Sequence, residues 1–230
     1  MCIRDRMEIK YEHNQLKHIT TMEKKYRLLE DDTIRVWGET LYRIEALKDF
    51  AAVKKGEKGG FIEKEDNLSH EGNCWVSDDA RVSGNARVYD DAWVCDKSWV
   101  SGNAQAYGNA LMRNESWVYG SARVYGDAVV CGDAVVCGDA KVYGDAVICG
   151  DAEISDNVGY YVSKNIWSSG RYFTYTRSNR MWCVGYFHGT GNELIEKAYQ
   201  DSKVSGREYA RIVRYVEAMY ADLENDNSKN

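Results

Sequence analysis

WVSDDARVSGNARVYDDA (residues 75–92) and RVYGDAVVCGDAVVCGDAKVYGDAVICGDA (residues 123–152) are parts of one repeat. Residues 75–158 divide without a gap into fourteen hexads of the form x-V-x-G-D/N-A. A period held over 84 residues outweighs local propensity, because stacked repeats bury a continuous core that no single repeat can bury alone. Position 2 is almost always Val and position 6 almost always Ala. They flank the residue at position 1, so alternation along an extended chain sends both inward and turns positions 1 and 3 to solvent. Gly, Asn and Asp at positions 4 and 5 supply the left-handed backbone that a tight corner needs. Each hexad therefore begins a new flat side.

This pattern resembles the hexapeptide-repeat, left-handed parallel β-helix, in which three hexads make one triangular coil. The left hand is implied by that resemblance. Fourteen hexads make nearly five coils, about 23 Å tall at roughly 4.8 Å between paired strands. The expected fold class is mainly β, a β-helix of about five coils with a small N-terminal β cap and a C-terminal β-hairpin plus two-helix domain. Both strand edges of such a column must be covered to prevent end-to-end growth.

Around the repeat, the chain of 230 residues has a formal net charge of −6, 7 Cys and no Pro, with 44% hydrophobic and 29% charged residues. That excludes collagen and Pro-rich linkers and is too apolar for global disorder. No apolar run is long enough to span a bilayer and no signal pattern is present, so the expectation is a cytoplasmic chain without membrane attachment. Cysteines there are expected as thiols, and without a C-x-x-C pair neither a disulfide framework nor a zinc ribbon is suggested. The acidic balance argues against bulk nucleic-acid binding. Residues 1–6, MCIRDR, resemble a translated sequencing adapter and are set aside; Met7 is then a plausible start, leaving a charge near −7 and six Cys once two basic residues, one acidic residue and Cys2 are removed.

The flanks read as caps, giving regions 7–68 (N-terminal β cap), 69–158 (β-helix), 159–223 (C-terminal α+β domain) and 224–230 (fraying tail). Lys25 to Leu29, Thr33 to Trp37 and Leu41 to Ala46 suggest short strands, Gly38 a turn, and GEKGG at 56–60 a tight loop. The register extends upstream through Ser69 to Cys74, which puts His70 at an inward position. Arg171 to Thr176 and Met181 to Phe187 read as a hairpin about Ser178 and Asn179. Thr190 with Glu193, and Ser205 with Glu208, match capping boxes of two helices. The second carries an apolar face of Tyr209, Ile212, Val213, Val216, Met219, Tyr220 and Leu223.

With residues eighteen apart stacked, the walls can be read as columns. One wall presents Arg87, Gln105, Arg123 and Lys141 beside Tyr89, Tyr107, Tyr125 and Tyr143. Phenol rings with adjacent cations suit a phosphate-bearing or nucleotide-like ligand; the alternative is an aromatic ladder that serves only the strands, solvated by basic residues. A second wall carries Trp75, Trp93, Leu111, Val129 and Val147, and the third Trp99, Trp117 and Val135. Both are apolar enough to mark interfaces, within the chain or between subunits, and the β-helix resemblance implies a homotrimer.

No catalytic residue is expected, and no metal or cofactor. The hexads contain no His; His13, His18, His70 and His188 lie outside them. Hexapeptide acyltransferases use a His general base, so His70 and His188 are the only candidates near the coils, each more simply a cap or loop residue. Cys131 stacks on Cys149, Asp127 on Asp145 and Asp133 on Asp151. The cysteines read as small apolar packers, and the turn itself demands Asp. Gly189 and Gly191 could offer free N–H groups to an anion, although a plain helix start explains them.

LYRIEALKDF (41–50), KKGEKGGFIEKEDNLSHEGNCWV (54–76) and the hexads together resemble the hexapeptide-repeat proteins of the YdcK kind found in bacteria and prophages. WCVGYFHGTGNELIEKA (182–198) and the helix after it are similar to the C-terminal domain of related phage-encoded proteins. The resemblance implies the fold and a transferase label that rests on the repeat alone. The expected function is a non-catalytic, phage- or prophage-derived binding or scaffolding protein, capturing an anionic small molecule on the Arg/Tyr wall. The alternatives are a hexapeptide-repeat acyltransferase and a purely structural assembly protein.

Overall fold

Each coil turns its corners at the fourth residue of a hexad. The computed structural model describes residues 23–166 and 170–227. In it Asp78, Asp96, Asn114 and Gly126 have φ of 56°, 59°, 64° and 72°, the left-handed conformation that Asp, Asn and Gly tolerate best. Residues at position 5 do not share it, so the corner needs one left-handed residue where the sequence suggested two. Asx side chains at position 4 also tie coils together: the amide N–H of Asn114 donates to Asp96 Oδ2 at 2.8 Å, and that of Gly132 to Asn114 Oδ1 at 3.3 Å.

Between corners, positions 1 and 2 of the hexads form strands β4 (Trp75–Val76) through β17 (Glu153–Ile154). These pair in parallel at a spacing of eighteen residues, giving a β-solenoid of about five turns with three walls. One wall pairs Arg87, Gln105, Arg123 and Lys141 in order. Another pairs Trp75, Trp93, Leu111, Val129 and Val147. The third pairs Arg81, Trp99, Trp117, Val135 and Glu153. Val82, Ala86, Val100, Ala104, Val118 and Ala122 are fully buried along the axis. A core of Val and Ala fits this narrow prism, and larger residues enter where a neighbour is smaller: Ala106 stands where Val is usual, and Met112 in the next hexad is fully buried.

Upstream of Trp75 the register differs from the extrapolated hexad. Leu68, not His70, bridges to Val88, and Ile62 pairs with Val82, so the first coil runs twenty residues where later coils run eighteen. An apolar side chain is thereby placed inside, and the two extra residues are taken up near Gly72, whose φ is 64°. Residues 58–62 form β3 (Lys58–Ile62) rather than a loop. Gly59 and Gly60 are there for close approach: a Cβ on either would lie 2.5 Å from the carbonyl oxygen of Val76 or Ala80.

The two short strands expected before Gly38 are one bulged strand, β1 (Tyr26–Val36), which pairs with β2 (Glu39–Ala46) and through it with β3. This hairpin closes the first coil. Tyr26, fully buried, donates to the Leu68 carbonyl at 2.7 Å. Lys25 donates to the Cys74 carbonyl at 2.8 Å, and burial keeps its ammonium pKa below the ordinary value. At the far end, β18 (Tyr160–Lys164), β19 (Tyr172–Thr176), β20 (Met181–Val184) and β21 (Phe187–Gly189) form an antiparallel sheet. Helices α1 (Gly191–Asp201) and α2 (Lys203–Asn227) pack on it through Leu194, Val213, Val216 and Tyr220.

Thr190 caps α1 reciprocally with Glu193, as read from the sequence. The second helix starts earlier than Ser205: Ser202 Oγ accepts from the Ser205 N–H at 3.0 Å, while Glu208 pairs with Arg211. Helix α2 runs through the expected tail to Asn227. Residues 1–6, His13 and His18 lie outside the described residues.

Candidate functional site

The Arg/Tyr wall is built by repetition alone. Because position 3 follows an inward Val, or Ala106 before Tyr107, each Tyr stands outward at the same height in its coil, and the rings meet. Tyr89 and Tyr107 have centroids 4.8 Å apart with planes 4° from parallel. Tyr107 and Tyr125 follow at 4.9 Å and 2°, and Tyr125 and Tyr143 at 5.4 Å and 13°. Partial burial pushes the Tyr89 and Tyr107 phenols up, with smaller contributions from their neighbouring phenols. At neutral pH they are therefore protonated and can donate. Arg87, Arg123 and Lys141 run alongside, exposed, and among the described residues none forms a salt bridge. The sequence-predicted residues of this wall are thus brought together as one surface.

At the top of the ladder, Tyr89 borders a cavity of about 570 Å³. Arg87, Gln105, Leu68 and His70 line it, together with Glu65 and Asp66 from the short helical turn between Ile62 and Leu68 in the first coil. Glu65 is matched by Lys24 at 2.7 Å and faces His70 Nε2 at 2.9 Å; Lys24 holds its carboxyl below the ordinary range, helped by His70. His70 Nδ1 accepts the Lys25 backbone N–H at 3.1 Å. Both ring nitrogens of His70 are therefore engaged, and neither is left to take a proton from a substrate.

The apolar walls have different fates along their length. Trp75 is fully buried beneath the cap, edge-on to Phe50 at 5.3 Å, which removes it from the surface. Val147 donates its backbone N–H to Thr174 of β19 at 3.0 Å, so the C-terminal sheet covers that end of the wall. Trp93, Leu111 and Val129 between them remain half-buried, as does Val135 on the neighbouring wall. Trp99 and Trp117 stack at 5.4 Å, and Trp37 from the tip of the β1–β2 hairpin lies on Trp99 at 4.5 Å. That third indole was not legible in the repeat.

Two of the stacked corner carboxylates are used by the fold. Asp127 accepts from Asn109 Nδ2 at 2.8 Å and Asp151 from Asn179 Nδ2 at 3.0 Å. At the start of α1 the Thr190–Glu193 capping box occupies the first turn, and the adjoining cavity is lined by Glu217 and Glu224 together with Arg180, which pairs with Glu224. The expectation of free thiols is overturned at one place: Cys149 and Cys183 meet at disulfide-bonding distance, whereas Cys131 remains a buried thiol. His188 is a strand residue of β21 directly opposite Cys183, rather than a loop residue. A pairing across 34 residues depends on how the C-terminal sheet docks, which no spacing in the sequence records.

Two segments of the solenoid, residues 80–96 and 122–138, match the family model described as the YdcK β-solenoid repeat. A 79-residue stretch is 37% identical to the Escherichia coli (strain K12) protein named uncharacterized acetyltransferase YdcK. The match covers 28% of this chain and 24% of that relative, so it spans about a quarter of the relative's length. Repeat, register and similarity agree: the chain is a β-solenoid protein whose repeat is similar to that of YdcK.

Proposed function

We propose that the protein is a non-catalytic binding module whose Arg/Tyr wall holds an anionic small molecule with a planar ring, such as a nucleotide. The observation that carries this reading is the juxtaposition of an unneutralised column, Arg87, Arg123 and Lys141, with a continuous Tyr ladder that ends at a 570 Å³ cavity. A ring would stack on Tyr89 at the cavity while its phosphates met guanidinium and ammonium donors, which bind phosphate through charge-assisted hydrogen bonds. Trp93, Leu111 and Val129 support assembly of three copies through the remaining apolar wall. The similarity of residues 182–198 to phage-encoded domains supports a prophage source. The test is calorimetric titration with nucleoside mono- and diphosphates, with inorganic phosphate as control. Binding that Arg87→Glu, at the cavity, abolishes without changing the melting temperature is the expected result. No binding across the panel, or binding unchanged in both Arg87→Glu and Arg123→Glu, removes the wall from consideration, and native mass spectrometry reports the subunit count in the same samples.

A second reading is acyl transfer, favoured by the name of the E. coli relative. It requires a His general base. With His70 engaged at both nitrogens, His188 is the remaining described candidate. Turnover of an acyl thioester that is lost in His188→Ala would establish it, and a donor panel with no thioester consumption would exclude it.

A further inference from the structure

The face of the C-terminal sheet that meets the last coil carries one row of directly opposed residues: Thr174 on β19, Cys183 on β20 and His188 on β21. Opposed residues on antiparallel strands point to the same side, with Cβ atoms about 5 Å apart. Thr174 is spent on the Val147 N–H. Cys183 and His188 face Cys149, which ends the outward stretch of its hexad just before the corner at Gly150. One ligand atom from each of Cys149, Cys183 and His188 lies within 4.8 Å of the other two.

We propose that these three residues form a binding site for a thiophilic divalent cation of the zinc class, which fastens the C-terminal sheet to the end of the solenoid. Two thiolates and one imidazole are a ligand set that zinc favours, with the fourth tetrahedral position left to solvent. That position is available here because His188 is exposed and Cys149 half-buried.

The backbone geometry favours a bridging cation over a direct sulfur–sulfur bond. The Cα atoms of Cys149 and Cys183 are 7.2 Å apart, outside the span of about 4.4–6.8 Å usual for disulfides. Zinc–sulfur bonds of about 2.3 Å in tetrahedral geometry hold two sulfurs roughly 3.8 Å apart, which suits the wider separation. The backbone that sets this separation is pinned to the C-terminal sheet. Val147 is tied to Thr174, Asp151 to Asn179 at 3.0 Å, and the Glu153 N–H to Ser178 Oγ at 2.8 Å, on both sides of the cysteine. Room for the imidazole comes from Gly150, where a Cβ would lie 2.7 Å from His188 Cε1 and 2.9 Å from Nε2.

Loading starts from thiols. A dithiol reductant supplies two electrons and two protons to the Cys149–Cys183 pair and leaves as its own cyclic disulfide. The two thiols then release their protons as the cation binds.

The experiment uses the full chain, reduced and desalted without oxygen, and titrated with Co²⁺ as a spectroscopic probe and then with Zn²⁺. The expected result is one equivalent per chain, with near-ultraviolet thiolate-to-cobalt charge transfer and visible bands of tetrahedral intensity, all displaced by Zn²⁺. Cys183→Ser should remove the signal, and the exposed His188→Ala should weaken binding by roughly tenfold or more, at least the loss typical of an outer-shell partner. In the wild-type chain Zn²⁺ should shield Cys149 and Cys183, but not Cys95, from alkylation mapped by mass spectrometry, a readout that does not depend on how any variant folds. Cation uptake no greater than that of Cys183→Ser overturns the proposal. So does a chain that keeps the Cys149–Cys183 bond, two hydrogens lighter by mass, after equilibration with a dithiol.

Discussion

Tyr107 and Tyr125, eighteen residues apart in the chain, hold their rings 4.9 Å apart and within 2° of parallel. That distance is close to the separation of paired strands, so the ladder is the solenoid's own rise expressed on its surface. Tyr107 touches a ring on each side. Tyr107→Ala should remove both contacts and cost about 1–3 kcal/mol, from roughly 0.5–1.5 kcal/mol for each aromatic pair. Denaturant unfolding measures it, and a midpoint equal to wild type would show that the ladder contributes nothing to stability.

The corners predict an asymmetry between residue types. Gly126 has φ 72°, and a Cβ there would sit 3.0 Å from the Gly144 nitrogen. Gly126→Ala should cost about 1–2 kcal/mol for the left-handed conformation alone. Asn114→Gly gains backbone freedom while losing the bond from the Gly132 N–H, and should stay within about 1 kcal/mol of wild type. Paired thermal melts check the ordering of the two variants, and the reverse order would contradict the corner assignment.

Alkali should unfold the chain. Burial pushes the Tyr160 and Tyr220 phenols to about 12 and the Cys95 thiol to about 11. Between the ordinary values, about 10 for Tyr and 9 for Cys, and these raised ones, the folded chain binds more protons than the unfolded chain. Stability therefore falls as pH rises through that window. The expected observation is a loss of stability beginning above about pH 9, with phenolate absorbance from the buried tyrosines appearing together with loss of the circular dichroism signal. Titration of all tyrosines before any unfolding would refute it.

The hairpin tip makes a separate prediction. Trp37 lies on Trp99 at 4.5 Å and reaches Trp117 at 5.6 Å. Trp37→Ala should uncover both indoles and cost about 1 kcal/mol. Tryptophan emission of the remaining residues should shift to longer wavelength, and an unshifted spectrum would mean that the tip does not rest there.

The walls were legible because one period governs both the corner and the column. Once Asp, Asn or Gly recurs every sixth residue, the neighbours of Arg123 and Tyr125 follow. The first coil was not, because Gly72 and Asn73 continue the corner spelling while the inward residue has moved to Leu68, two positions earlier. A polar His70 at an inward position was the available warning. Trp37 over Trp99 and Cys149 beside Cys183 and His188 were illegible for a different reason. Each joins the repeat to a flanking unit, and the docking of a hairpin or a sheet leaves no periodic trace in the chain. GEKGG misled through its glycines, which belong to close backbone packing at Gly59 and Gly60 as much as to a turn.

Since a given wall returns only after three hexads, this protein can be lengthened or shortened in steps of eighteen residues with every stripe kept in line. A duplication of six would offset everything downstream by one side of the triangle: Tyr125 would no longer follow Tyr107, and the C-terminal sheet would arrive over a different pair of stripes. Natural length variants of such a chain should therefore come in whole coils, as a screw accepts whole threads.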